Sequence, residues 1–202
     1  MFANSGVEYL PVDAIASDYA PAASCFQGMF EGCENLWSVE KTASGRGTLL
    51  TATDLTNAPN CYASMFKDSG MNDLANLILP AMTLSNGCYA NMFENCTNIT
   101  GLPNNYLPAQ TLAEDCYFVM FKGCTGLSSA IVLPATTLVA GCYNEMFSGC
   151  SSLNNITVYF ESWMEGNSTL NWVKDVSTTG TFTIMNYVLD PTQKGDSYIP
   201  ET

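Results

Sequence analysis

The chain has 202 residues and a formal net charge of −13, from 19 acidic and 6 basic side chains, so it lacks the basic footprint that nucleic-acid binding requires and is repelled by an anionic membrane surface. Hydrophobic residues make up 47% and aromatics 11%, enough for a continuous core and too much for a disordered chain. Histidine is absent, which removes the commonest general base and the commonest transition-metal ligand together. No apolar run reaches the roughly 18 residues of a membrane helix. Residues 1–18 have neither the basic nor the apolar region of a signal peptide.

In chain order, residues 1–10 (M-F-A-N-S-G-V-E-Y-L) align with residues 65–74 (M-F-K-D-S-G-M-N-D-L). The chain is therefore expected to open in the middle of a repeat, as a fragment of a longer array. A connector rich in Ala, Asp and Pro follows over 12–24. The first complete unit begins C-F-Q-G-M-F-E-G-C at Cys25, and copies begin at Cys61, Cys88, Cys116 and Cys142, spaced by 36, 27, 28 and 26 residues. The shared pattern is C-[YF]-x-x-M-F-x-x-[CS], with Ser69 in place of the last Cys in the second copy. A chain built this way is a repeat array in which each unit packs mainly on its neighbours. The excess length of the first unit lies in 37–48, small, polar and Gly-containing, and reads as a loop or hairpin excursion.

A second signature, L-P-A-x-T-L, recurs at 79–84, 107–112 and 133–138, with a degenerate form, L-T-A-T-D-L, at 50–55. Two local periods alternate within each unit. In C-Y-x-x-M-F the apolar positions are i, i+1, i+4 and i+5, helical spacing over one or two turns. In L-x-x-[IA]-x-V the final step of two suits a short strand, with Leu127, Ala130 and Val132 inward in one unit and Leu153, Ile156 and Val158 in another. Proline then ends the strand, since it cannot donate to a ladder. The expected fold is a repeat solenoid over 1–150, with short parallel strands on one face and short helical turns on the other, as in leucine-rich repeats. From 151 the repeat fades into a last strand at 156–160 and a C-terminal cap with Trp172 and Phe182 as plugs. Residues 190–202 read as an irregular tail.

The alternation of C-Y-x-x-M-F-x-G-C-[TS]-x-L with L-P-A-T-T-L resembles the BspA-like leucine-rich repeats of bacterial surface proteins of the Bacteroides type. The end of the chain is similar too, at 155–160 (N-I-T-V-Y-F), 171–173 (N-W-V) and 176–182 (V-S-T-T-G-T-F). The resemblance implies that Cys88, Cys116 and Cys142 occupy inward Ile positions, and that Phe93, Phe121 and Phe147 occupy inward aromatic positions. It further implies an exported protein, extracellular or at the cell surface, and in some members an adhesin. Related repeats could also be carried by phages of gut bacteria. The chain departs from the family pattern at Ser69, in the long unit over 25–60, and at its end.

The nine cysteines admit two structural readings. The C-x7-C spacing fits no usual zinc pattern, so no metal is assigned. Disulfides within units would suit an exported protein. Buried free thiols are favoured over them, because Cys61 persists although its partner position is Ser69. A nucleophilic Cys would have no His to activate it. Glu94, Glu114, Asp115 and Glu145 do not recur in register and read as solvated charges. The Met-Phe pairs read as core, and the Tyr positions as partly exposed. No catalytic residue, cofactor or metal ligand is assigned. The expected function is non-enzymatic recognition of a protein or glycan on a host or neighbouring cell, through an exposed strand face with Asp73, Ser129, Asn155, Thr157 and Tyr159 as ligand residues. The alternative is a structural stalk or particle-surface component, bacterial or phage, that presents another domain.

Overall fold

The computed structural model of the protein describes residues 2–15, 19–41, 47–163 and 167–201. Among them there is no helix. Five short strands form: β1 (Tyr9–Pro11), β2 (Ser38–Glu40), β3 (Ile131–Leu133), β4 (Asn155–Val158) and β5 (Thr181–Ile184). All pairing is parallel, β1 with β2, and β3, β4 and β5 in that order. Between the two sheets, isolated parallel bridges join Ser38 to Asp73 and Asp54 to Thr83 to Thr111. The architecture is mostly irregular chain with a few short parallel strands, and the continuous strand face expected from the sequence is interrupted. One reason is local: Asn105 sits at φ 55°, a left-handed residue that a strand does not contain.

The helical turns expected at C-Y-x-x-M-F do not form. Over 25–33, the N–H groups of Cys25, Gln27, Met29, Glu31 and Cys33 each bond the carbonyl three residues back. Those of Ser24, Phe26, Gly28, Phe30 and Gly32 instead reach the carbonyls of Pro59, Cys61, Ala63, Met65 and Lys67. The segment is a ribbon of overlapping β-turns, bonded to itself at every second residue and to the next copy at the residues between. The same alternation recurs at 61–69, 88–96, 116–124 and 142–150.

A four-residue period beneath the apolar pattern causes this. Each ribbon has a left-handed residue just before its first Cys, and again four and eight residues later: Ser24, Gly28 and Gly32 in the first, Gly141, Glu145 and Gly149 in the fifth. The last of these columns is wholly Gly, Asn or Asp, namely Gly32, Asp68, Asn95, Gly123 and Gly149. These types enter the left-handed region at least cost, whereas an α-helix excludes it. Apolar spacing of i, i+1, i+4 and i+5 fits a four-residue turn repeat as well as it fits a helix.

The ladder continues beyond 150. Tyr143, Glu145, Phe147 and Gly149 donate to the carbonyls of Ser168, Leu170, Trp172 and Lys174. Asn171 and Asp175 are left-handed, as in the earlier copies. Residues 168–176 are a sixth ribbon. Near the other end, Phe2 and Asn4 donate to Met29 and Glu31, so 2–5 lie in the place of the back half of a ribbon.

Stacked ribbons align like side chains into columns. Phe2, Phe30, Phe66, Phe93, Phe121 and Phe147 follow one another with ring centroids 5.4–6.0 Å apart and near-parallel planes. Phe26, Tyr62, Tyr89, Tyr117 and Tyr143 form a second stack at 5.5–6.0 Å. Each such pair contributes about 0.5–1.5 kcal/mol beyond the area it buries. Tyr62, Tyr89, Tyr117 and Tyr143 are buried, which corrects their expected partial exposure. Salt bridges Lys67–Glu94 (2.9 Å) and Lys122–Glu145 join neighbouring ribbons. Both are partly exposed and add little stability.

All nine cysteines are free thiols, eight of them buried and Cys25 exposed. The thiols of Cys33, Cys96, Cys124 and Cys150 each donate to the carbonyl of a Phe in the preceding copy, Phe2, Phe66, Phe93 and Phe121, at 3.0 Å. The Ser69 hydroxyl stands in this column, 3.5 Å from Cys96 Sγ, which accounts for Ser replacing Cys there. In non-reducing denaturant, thiol titration is expected to count nine groups, and in the folded protein at neutral pH one fast group, Cys25. A denatured count of seven or fewer would establish a disulfide.

Two further sequence expectations are corrected. In β3 the inward residues are Ile131 and Leu133, which pair with Ile156 and Val158 of β4, whereas Val132 and Ala130 face outward. The S-A-I-V-L run is apolar at both parities, so the pairing partner decides which set goes in. The 37–48 excursion is in part strand, since β2 occupies Ser38–Glu40; residues 42–46 of it lie outside the described residues.

Candidate ligand surface

β4 is the central strand of its sheet, and its inward residues Ile156 and Val158 are buried in the core. Alternation then turns Asn155, Thr157 and Tyr159 outward, and all three are partly exposed. Pairing places Asn155 beside Thr181, and Thr157 between Val132 and Thr183. The Tyr159 N–H is held by the Leu133 carbonyl at 3.1 Å, and the Met185 N–H by that of Val158 at 2.9 Å. The result is a small face of hydroxyl, amide and phenol groups edged by two exposed apolar side chains, Val132 and Met185. Backbone on a packed sheet holds these groups in place, which lowers the ordering cost of binding.

The other two expected ligand residues lie elsewhere. Asp73 is exposed, but it bridges to Ser38 beside the first sheet, and its carboxylate accepts the Ala75 N–H at 2.8 Å. Its neighbours across the strands include the exposed Tyr9, paired with Ser38. Ser129 precedes β3, and its hydroxyl accepts the Leu102 N–H at 3.0 Å. It lines a groove of about 190 Å³ together with Pro103, Asn104, Tyr106 and Val132. The structure thus gathers three of the five residues along one strand and the residue that follows it.

Thr181, Thr183 and Met185 join this face without having been singled out in the sequence. The alternation T-F-T-I over 181–184 is the signal for them, a period of two in a stretch read only as cap. Gly180 allows the two strands to meet: a Cβ there would lie 2.0 Å from the Asn154 carbonyl oxygen. Trp172 is fully buried at the end of the core and donates its indole N–H to the Tyr198 carbonyl at 2.8 Å. Phe182, partly buried, meets it edge-on at 6.1 Å. The tail is irregular yet packed: Val173 donates to Asp196, and Lys194 bridges to Ile199.

The repeated thiols are poorly suited to chemistry. Burial pushes Cys96 and Cys142 up to about 11 and Cys88 and Cys150 up to about 12, and raises Cys116 and Cys124 well above the ordinary range. A thiol held protonated is a weak nucleophile. Among the described residues no three His, Cys, Asp or Glu side chains cluster as metal ligands, and no helix is long and apolar enough to cross a membrane. Comparison with family models, curated proteins and solved structures returns no match.

Proposed function

We propose that the chain is a non-enzymatic recognition module, a leucine-rich-repeat solenoid of the kind found in BspA-like surface proteins, binding a protein or glycan ligand outside the cell. The observation that carries this reading is the outward row of Asn155 and Thr157 on β4 and Tyr159 just beyond it, flanked by Thr181 and Thr183. Amide and hydroxyl groups offer hydrogen bonds to either ligand class, and the phenol ring offers an apolar contact with a polar tip. The stacked ribbons support the solenoid reading, because each copy packs on the next through the same columns. The protonated thiols support a role without catalysis.

The test is binding to a glycan array and to immobilised extracellular proteins, by the native chain and by a triple Asn155→Ala, Thr157→Ala, Tyr159→Ala variant. A ligand held by the native chain is expected to bind the variant at least about tenfold more weakly, a loss of 1.4 kcal/mol or more. The melting temperature should stay close to that of the native chain. Equal binding by both proteins would remove the β4 face from the function. The stacked rings favour a second reading, a rigid stalk or particle-surface component that presents another domain. It predicts no ligand for either protein.

A further inference from the structure

The parallel ladder breaks off in the middle of the chain, between 99–107 and 128–133. It begins there with the Ser128 N–H on the Thr100 carbonyl at 3.1 Å. The Leu102 N–H then meets the Ser129 hydroxyl at 3.0 Å in place of a backbone carbonyl. Pro103 has no N–H to give and Asn105 is left-handed, so the run does not continue as a strand. The stretch from Cys96 to Leu107 is also two residues longer than its counterpart from Cys124 to Leu133. Between its 102–107 segment and β3 lies the groove of about 190 Å³.

On this side β3 is an edge strand. The Leu133 carbonyl accepts the Tyr159 N–H, which turns the backbone polar groups of Ile131 and Leu133 toward β4. These groups alternate in direction along a strand, so the N–H and C=O of Val132 point the other way, into the groove. Outside the β3–β4 pairing, no described residue donates to the Val132 carbonyl or accepts its N–H, and the Ala130 N–H reaches no described carbonyl. The Val132 side chain is exposed beside them. Unpaired N–H and C=O groups along a strand edge are a template for another strand.

We propose that this groove binds an extended peptide segment of a partner protein, by strand addition to the free edge of β3. The occupant follows from the geometry. Val132 offers a donor and an acceptor on one side, and an extended chain answers both with successive peptide groups. The single amide of an N-acetylated sugar points its N–H and C=O in opposite directions and answers only one of them. The other intervals of this sheet, β3–β4 and β4–β5, already hold a parallel neighbour, so the segment continues a ladder that the fold uses. At about 190 Å³ the groove is smaller than the roughly 300–1,000 Å³ of small-molecule pockets, and suits a short stretch of a longer chain. None of its lining residues is charged and the chain carries −13 overall, so a neutral or basic segment fits and an acidic one is repelled. The site lies on the edge of β3 away from β4 and does not rest on the outward face of β4.

The probe is a phage-displayed library of random peptides about seven residues long, selected on the native chain, with an enriched sequence then synthesised. In the free protein the Val132 amide is expected to exchange hydrogen at least about a hundredfold faster than that of Leu133, which faces β4. Bound peptide is expected to slow Val132 exchange at least about tenfold. Val132→Pro removes the donor and spares the β3–β4 bonds, and is expected to weaken binding at least about tenfold. Val132→Thr keeps the N–H and is expected to bind as the native chain does. If Val132→Pro fails to fold, protection of the Val132 amide in the native chain decides the matter. A library that yields no binder, peptides that leave Val132 exchange unchanged, or equal binding by Val132→Pro would overturn the proposal. So would N-acetylglucosamine protecting that amide to the same degree.

Discussion

On titration with base, the protein is expected to unfold in one cooperative step near pH 10, well below the point at which its buried thiols would ionise in place. Seven thiols, those of Cys61, Cys88, Cys96, Cys116, Cys124, Cys142 and Cys150, are pushed up by burial. Burial raises Tyr62, Tyr89, Tyr106, Tyr117 and Tyr143 in the same direction. Below the ordinary thiol value of about 8.5, folded and unfolded chains are both protonated and stability is untouched. Above it the unfolded chain releases protons that the folded chain keeps, so stability falls with rising pH until the folded values, about 11 to 12 where resolved, are passed. Each thiol withdraws about 1.4 kcal/mol per pH unit in that window. Seven together withdraw on the order of 10 kcal/mol per unit, comparable to the whole stability of a typical domain. Circular dichroism should collapse in step with thiolate absorbance. Separate titration of the thiols in a protein that stays folded would contradict the burial of both Cys columns.

The second large effect is positional. Phe121→Ala removes a ring stacked between Phe93 at 5.4 Å and Phe147 at 6.0 Å, in a site with no exposure. The expected cost is about 3–5 kcal/mol, or a melting temperature lower by roughly 6–20 °C for a chain of this size. Phe2→Ala deletes the same side chain from the column, at a place where the ring is 56% exposed and, among the described residues, stacks on Phe30 alone. Its expected cost is about 1 kcal/mol or less. Thermal melts of the two variants side by side check the contrast. Equal losses would mean that the column does not act as a stack whose interior is supported from both sides.

The core columns were legible in the sequence because Cys, Met and Phe recur at fixed offsets and end up buried together in copy after copy. The ribbon was not, because its signal lies in Gly, Asn and Asp at every fourth residue, and the middle column hides that signal behind Val119 and Glu145. The sixth ribbon is masked in the same way: Ser168, Thr169, Trp172 and Val173 stand where Cys, Tyr, Met and Phe are expected, and the hydrogen bonds reveal it instead. On the candidate surface, N-I-T-V-Y-F alternates cleanly between buried and exposed types, so Asn155, Thr157 and Tyr159 could be read directly. Asp73 and Ser129 come from stretches where no strand forms, and their side chains bond backbone N–H groups close by. Long-range pairing decides where strands form, and a single sequence does not carry it.

The alternation of bonds within a ribbon also dictates where the chain can change length. One residue added or lost within 116–124 would exchange the N–H groups that close turns with those that reach the neighbour. It would also move each left-handed position off its present residue. The connectors carry no such constraint: successive ribbons begin 36, 27, 28, 26 and 26 residues apart. Insertions and deletions in chains of this build should therefore fall between ribbons and leave each ribbon at nine residues, a ruler against which the rest of the unit is free to grow.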